Sequence, residues 1–199
     1  MAPPRRERRR RLFPFHAPEA RRLAALFGVV YFAQGMWSLP NQTITISFKD
    51  LGFSAGQVAT FFMLTTWPWW IKPAYGLLSD FVPLFGRRRK SYFLCVSAAA
   101  AAAGMTLGLS RSHPYWWLGM LAAAMGLGLA FSDVLTDALM VETGRAHGLI
   151  GAFQAIQWSA IYTAAVLVGV LGGRLAETRS LGLAFLIAAC FPLHWCGLS

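Results

Sequence analysis

The sequence predicts an all-α membrane protein, a bundle of six transmembrane helices behind a basic leading segment. Three observations predict it. Of the 199 residues, 56% are hydrophobic and only 13% are charged, against roughly 25% charged in a soluble domain. Apolar runs recur along the chain at lengths near the roughly 20 residues that cross a bilayer core at about 1.5 Å per residue. The cations lie almost entirely between those runs. A net charge of +10 would suggest nucleic acid if it were spread over a soluble surface, but eight of the 18 cations fall in the first 22 residues. The charge therefore reads as membrane topology, the lipid bilayer is the expected surrounding, and nucleic acid is not an expected partner.

Residues 1–22 carry Arg5, Arg6, Arg8 to Arg11, Arg21 and Arg22 with no apolar period, so they are expected to form a disordered basic tail. Arg10-Arg-Leu-Phe13 faintly resembles a twin-arginine signal. No small-residue cleavage site follows a short apolar core, however, and five more apolar runs come later, so the first run is taken as an uncleaved helix. Residues 23–199 form the six-helix domain, with spans expected at 23–47, 55–80, 91–109, 115–142, 147–172 and 181–198.

Each break has a physical basis. Lys49-Asp-Leu-Gly52 closes the first span and Ser54 offers an N-cap for the second. Phe81 to Lys90, Ser110-Arg-Ser-His-Pro114, Glu142-Thr-Gly-Arg145 and Gly172-Gly-Arg-Leu-Ala-Glu-Thr-Arg179 supply the other breaks. Ala98 to Ala103 followed by Gly104 and Gly108, and the pair Gly169 and Gly173, are small-residue surfaces where helix backbones can approach closely.

The cations set an orientation. Eight in the leading segment, four at Arg87 to Lys90, and Arg145 make thirteen on one side, against Lys49, Arg111, Arg174 and Arg179 on the other. The positive-inside rule puts the thirteen, and both ends of the chain, in the cytoplasm. The chain stops at Ser199, straight after the sixth run, which suggests half of a larger protein, or a truncated product.

Within the spans a few polar residues stand out. Lys72 lies in the otherwise apolar stretch from Trp67 to Leu78. A lysine in hydrocarbon costs about 2.5–3.5 kcal/mol even on the mildest insertion scale, so it requires a partner or a water-filled cavity. Asp133 and Asp137 of the fourth span are four residues apart and share a helix face with Gly126 and Ala130. Counted from Thr143, Asp133 lies about 15 Å deep and Asp137 about 9 Å, while Lys72 lies about 12 Å from Asp80. Lys72 is therefore expected to pair with Asp137, or to alternate between Asp137 and Asp133. Burial disfavours a charged carboxylate and a nearby ammonium favours it, so such a site can take up and release a proton as its partner moves. The alternative is a fixed structural ion pair.

In the first span Gln34, Ser38, Asn41 and Thr45 form one polar helix face, with Gln34 about 18 Å in, near mid-bilayer. This face suggests a polar cavity. On the fifth span Gln154, Trp158 and Ile161 share a face whose amide and indole could hold a planar, hydrogen-bonding solute. Trp67, Trp69 and Trp70 offer the same possibility, whereas Trp116 and Trp117 read as an interfacial belt. Glu142 is expected to meet Arg87, Arg88 or Arg89 and, with Asp80, to form an ionic latch at the inner surface. No metal site or cofactor is expected. The three cysteines, Cys95, Cys190 and Cys196, lack metal-ligand spacing, and the histidines His16, His113, His147 and His194 are scattered along the chain. Nor is there a nucleophile elbow or a phosphate loop, so an enzyme is not expected.

Gly76-Leu-Leu-Ser-Asp80 followed by Gly86-Arg-Arg-Arg89 resembles the inner-loop signature of the major facilitator superfamily. This chain has five residues between Asp80 and Gly86 where that superfamily usually has two. That spacing, with Trp69-Trp-Ile-Lys-Pro73, Pro83-Leu-Phe-Gly86 and the run from Asp133 to Glu142, resembles the folate/biopterin transporter family within it, over roughly residues 28–165. The resemblance implies a proton-coupled importer of folates, pterins or related organic solutes. It further implies twelve helices in two six-helix halves, of which this chain supplies the N-terminal half and requires a C-terminal half as partner. On this reading, alternating access works around Gln34, Asn41, Lys72, Asp133, Asp137, Gln154 and Trp158. Gly76, Asp80, Gly86, Arg87, Arg88, Arg89 and Glu142 form the inner gate. A half that only packs or scaffolds in the membrane is the second expectation.

Overall fold

The computed structural model describes residue 15, residues 17–84 and residues 89–196, with residues 191–196 described by backbone alone. Most of the expected tail lies outside the described residues, as do Gly86, Arg87 and Arg88 of the expected gate, but the tail's last five residues, expected to be disordered, are helical from Pro18, where a proline suits the first turn. The described chain is helical almost throughout. Its elements are α1 (Pro18–Met36), α2 (Leu39–Asp50), α3 (Ala55–Thr66), a 3₁₀ turn (Trp67–Trp69), α4 (Lys72–Phe81), α5 (Arg89–Leu109), α6 (Tyr115–His147), α7 (Ile150–Glu177) and α8 (Leu181–Cys196).

Among the described residues, four helices are long and apolar enough to cross a membrane: Pro18–Asp50, taken through a break, and α5, α6 and α7. The chain is thus an integral membrane protein. The six expected spans are not all continuous. Pro40 has no N–H to bond the Met36 carbonyl, and the first span divides between Met36 and Leu39. Pro68 and Pro73 divide the second expected span into α3, the 3₁₀ turn and α4. Leu181–Cys190 is a shorter apolar helix.

The Ser54 cap forms as expected. Its hydroxyl accepts from the Gln57 N–H at 3.3 Å, and its own N–H donates to Gln57 Oε1 at 2.8 Å, a reciprocal capping box. Two expected breaks fall elsewhere. Glu142 to Arg145 does not end α6, which runs to His147 and stops where Gly148 takes φ 65°. Gly144 serves instead for close approach, since a Cβ there would lie 3.0 Å from the Ile150 side chain. Gly172 and Gly173 likewise stay inside α7, which continues to Glu177.

α5 lies along α6 and α8, α1 lies along α7, and α2 packs on α7 and α8. The small residues of α5 make its contact with α8 possible: a Cβ on Gly104 would be 2.8 Å from the Ala189 Cβ, and one on Gly108 would be 2.5 Å from Leu186 Cγ. The expected Gly169–Gly173 contact is not formed by that pair. Gly172 and Gly173 face Gln42 of α2, and a Cβ on Gly169 would meet nothing within 4 Å. The largest apolar core gathers Val30, Phe61, Leu107, Leu118, Met125 and Phe185 from five helices. At the end away from Arg89, Arg179 at φ 54° pairs with Asp50 at 2.7 Å, tying the end of α2 to the turn between α7 and α8.

Candidate functional site

The helix break at Trp67–Trp69 makes Lys72 the first residue of α4. A cation there faces the positive end of the helix dipole, so it depends on outside partners. It has two. Lys72 Nζ lies 2.5 Å from Asp133 Oδ2, and the same ammonium stands 4.5 Å from the centroid of the Trp69 ring, within cation–π range. The Asp133 side chain is 4% exposed and that of Lys72 is 33% exposed. One end of the pair is therefore sealed in protein and the other reaches outward. Gln34 Oε1 on α1 is buried without a hydrogen bond among the described residues.

The first-named expected partner of Lys72, Asp137, is held differently. The Tyr31 hydroxyl of α1 donates to Asp137 Oδ1, and Gln157 Nε2 of α7 approaches the same oxygen at 3.4 Å. The reason Lys72 meets Asp133 lies at the other end of these helices. Arg89 pairs with Asp80 at 2.9 Å and with Glu142 at 2.7 Å, so one guanidinium sets the end of α4 level with Glu142 of α6. From that level Lys72 is about 12 Å along its helix and Asp133 about 13.5 Å, whereas Asp137 is only about 7.5 Å. Counting from Thr143 had placed the two carboxylates on either side of the lysine.

Beside the ion pair runs a groove of about 300 Å³ whose walls include Gln34, Trp37, Ser38, Asn41, Thr66 and Trp69. Both helix breaks, at Trp37–Ser38 and at Thr66–Trp69, meet on it. Asn41 also lines a neighbouring recess of about 370 Å³ with Gln42 and Thr45. The structure thus brings Gln34, Ser38 and Asn41 to one groove, and Trp69 of its wall is the ring over which the Lys72 ammonium stands. Trp37 Nε1, at the groove wall, is buried without a hydrogen bond among the described residues.

The fifth-span residues divide. Ile161 lines the groove, whereas Gln154 is exposed and Trp158, 53% exposed, stacks on Tyr162 with ring centroids 5.7 Å apart. The amide on this helix that reaches the acidic pair is that of Gln157. Sequence reasoning gave Tyr31 no role. Its signal was its position one turn before Gln34, on the same face of α1. At the latch, Gly76 packs on Val134 of α6 at ordinary van der Waals distance, 3.6 Å for a built Cβ. Arg89 alone of the expected basic gate residues lies within the described chain, and it carries both ion pairs of the latch.

The sequence model of the BT1 family matches residues 33–199. The chain is 34% identical over 181 residues to a folate-biopterin transporter of Synechocystis sp., covering 89% of this chain and 36% of that protein. It is 30% identical over 188 residues to probable folate-biopterin transporter 4 of Arabidopsis thaliana, covering 86% of this chain and 38% of the relative. The chain therefore spans little more than a third of the length of these curated relatives. No solved structure matches it.

Proposed function

Since the chain belongs to the BT1 family, we propose that it is the substrate-binding N-terminal bundle of a secondary-active carrier for folate, pterin or a related organic solute. In this reading the bundle has six spans, counting the broken segment 55–81 and the short α8. It is built as two inverted three-helix units of the major facilitator type, and the basic segment ahead of α1 lies in the cytoplasm. It works against a C-terminal bundle of like size. Transport is by alternating access and is proton-coupled, and the solute is not chemically altered.

One observation carries the reading: a lysine–aspartate pair within the helical bundle, joined through the Trp69 ring to a groove lined by Gln34, Ser38 and Asn41. Ionisable groups at such depth are rare and mark substrate or ion pathways. The names of the relatives supply the solute class. Gln34, Asn41, Lys72 and Asp133 then contact solute, Asp137 serves the proton, and Gln154 and Trp158 are exposed on the face that meets the other half. Gly76, Asp80, Arg89 and Glu142, with Gly86, Arg87 and Arg88, form the inner gate.

The test is uptake of labelled folic acid and of labelled biopterin by cells expressing the protein, with and without a protonophore. Uptake that collapses with the gradient is the expected result. Uptake of neither solute removes the substrate assignment, and uptake indifferent to the gradient removes the coupling.

A further inference from the structure

We propose that Asp137 binds the coupling proton, that the buried Tyr31 hydroxyl positions it, and that Asp133 stays committed to Lys72. The inference rests on the transport reading and divides its acidic pair into two different tasks.

The argument begins with charge. Asp133 and Asp137 stand one turn apart, and Lys72 is the cation whose ion pair reaches them among the described residues. Two carboxylates against one ammonium leave a net negative charge within the membrane, which one bound proton neutralises. Geometry then says where that proton goes. At Asp133 it would have to displace the ammonium from a side chain that is 4% exposed. At Asp137, both hydrogen bonds converge on Oδ1, from Tyr31 and from Gln157. Oδ2 accepts none among the described residues, and the side chain is only half-buried.

Among the described residues, the hydrogen bonds and ion pairs bring no second titratable acid or base to that oxygen. From α1 comes Tyr31, from α7 the uncharged Gln157, and on α6 itself Asp133, which is turned to Lys72 of α4. On α5, Arg89 is engaged with Asp80 and Glu142, and Tyr92 stacks on Phe131. Lys90 lines a cleft with Leu135 and Leu139, residues that leave α6 on the side opposite Asp137.

The step itself is simple. An O–H bond forms at Asp137 Oδ2 with a proton from water on one side of the membrane, and it breaks when the proton passes to water on the other. No other atom is transferred. The Tyr31 O–H and the Gln157 N–H donate more strongly to a carboxylate than to a neutral acid. Proton binding therefore weakens the links from α6 to both α1 and α7. Two of the helices that wall the groove thus respond to the proton, with Tyr31 and Gln157 as positioning residues.

The experiment is an infrared pH titration of the purified protein in lipid nanodiscs, following the carboxylic-acid carbonyl band from neutral to mildly acidic pH with no solute present. Asp137→Asn is expected to remove a band that the Lys72→Ala/Asp133→Asn double variant keeps. Tyr31→Phe, which leaves the carboxyl in place, is expected to raise the midpoint of that band by about one pH unit, a tenfold change in proton affinity, because a donor to the charged form is lost. If Asp137→Asn leaves the wild-type bands unchanged, or the double variant loses the band, or the Tyr31→Phe midpoint does not move, the assignment is overturned. Should Asp137→Asn not fold, the double variant and Tyr31→Phe still decide. Because no solute enters the measurement, failed uptake with this result intact counts against the transport reading alone.

Discussion

Lys72 and Asp133 meet at 2.5 Å although 61 residues separate them, and their level agrees with that of the two Arg89 ion pairs at the far ends of the same helices. Removing one member of such a pair leaves an uncompensated charge in a poorly solvated place. Lys72→Ala and Asp133→Asn should each lower the unfolding free energy by about 3 kcal/mol, and the double variant should recover most of the loss. Thermal unfolding of the three purified variants in one detergent checks this; losses that simply add would show that the pair is not coupled.

The latch at Arg89 behaves differently, because its acids are exposed, 52% for Asp80 and 60% for Glu142. Asp80→Asn and Glu142→Gln should each cost less than about 1 kcal/mol, and the effect should shrink as salt is raised. Unfolding midpoints in low and high salt test the point. An effect of several kcal/mol that ignores salt would mean the latch is buried in the working protein.

Glycines of one helix type should separate sharply. Gly108→Ala places a methyl 2.5 Å from Leu186 Cγ and should destabilise the α5–α8 contact by about 1–3 kcal/mol. Gly169→Ala, with open space at its Cβ, should be neutral or stabilise α7 by up to about 1 kcal/mol. The comparison is made by thermal unfolding, and equal effects at the two sites would contradict the packing described.

Ser54→Ala removes one side of the capping box on α3 and should cost about 1 kcal/mol. Faster amide hydrogen exchange confined to the first turn of α3, with α6 unchanged, is the expected signature.

The helical membrane character, the latch between Glu142 and the basic run, and the polar face of Gln34, Ser38 and Asn41 were legible in the sequence because each depends on local spacing or composition. The partner of Lys72 was not settled. Depth counted from Thr143 put Asp133 and Asp137 equally far from Lys72, about 3 Å to either side, and counting from the actual helix end at His147 would have favoured Asp137. Only the shared guanidinium of Arg89 supplies a common zero for the two helices, and that contact is tertiary. Tyr31 was missed for a related reason: an aromatic residue in an apolar helix reads as packing until a carboxylate from another helix is found at its hydroxyl. The glycines of α7 show the same limit, since periodicity gives a small-residue stripe but not the side on which a neighbour lies.

The two helix breaks that meet at the groove have an electrical consequence. Irregular backbone at membrane depth is tolerated where it lines water or is buried in protein, and the groove that both breaks border is the place in this bundle where water would enter. Where water enters, the transmembrane voltage no longer falls. It falls instead across the dry part of the protein, at about 2.3 kcal/mol per elementary charge for each 100 mV. With the groove filled by water, a charge displaced by a few ångströms beside it would sense a share of the membrane potential out of proportion to the distance it moves.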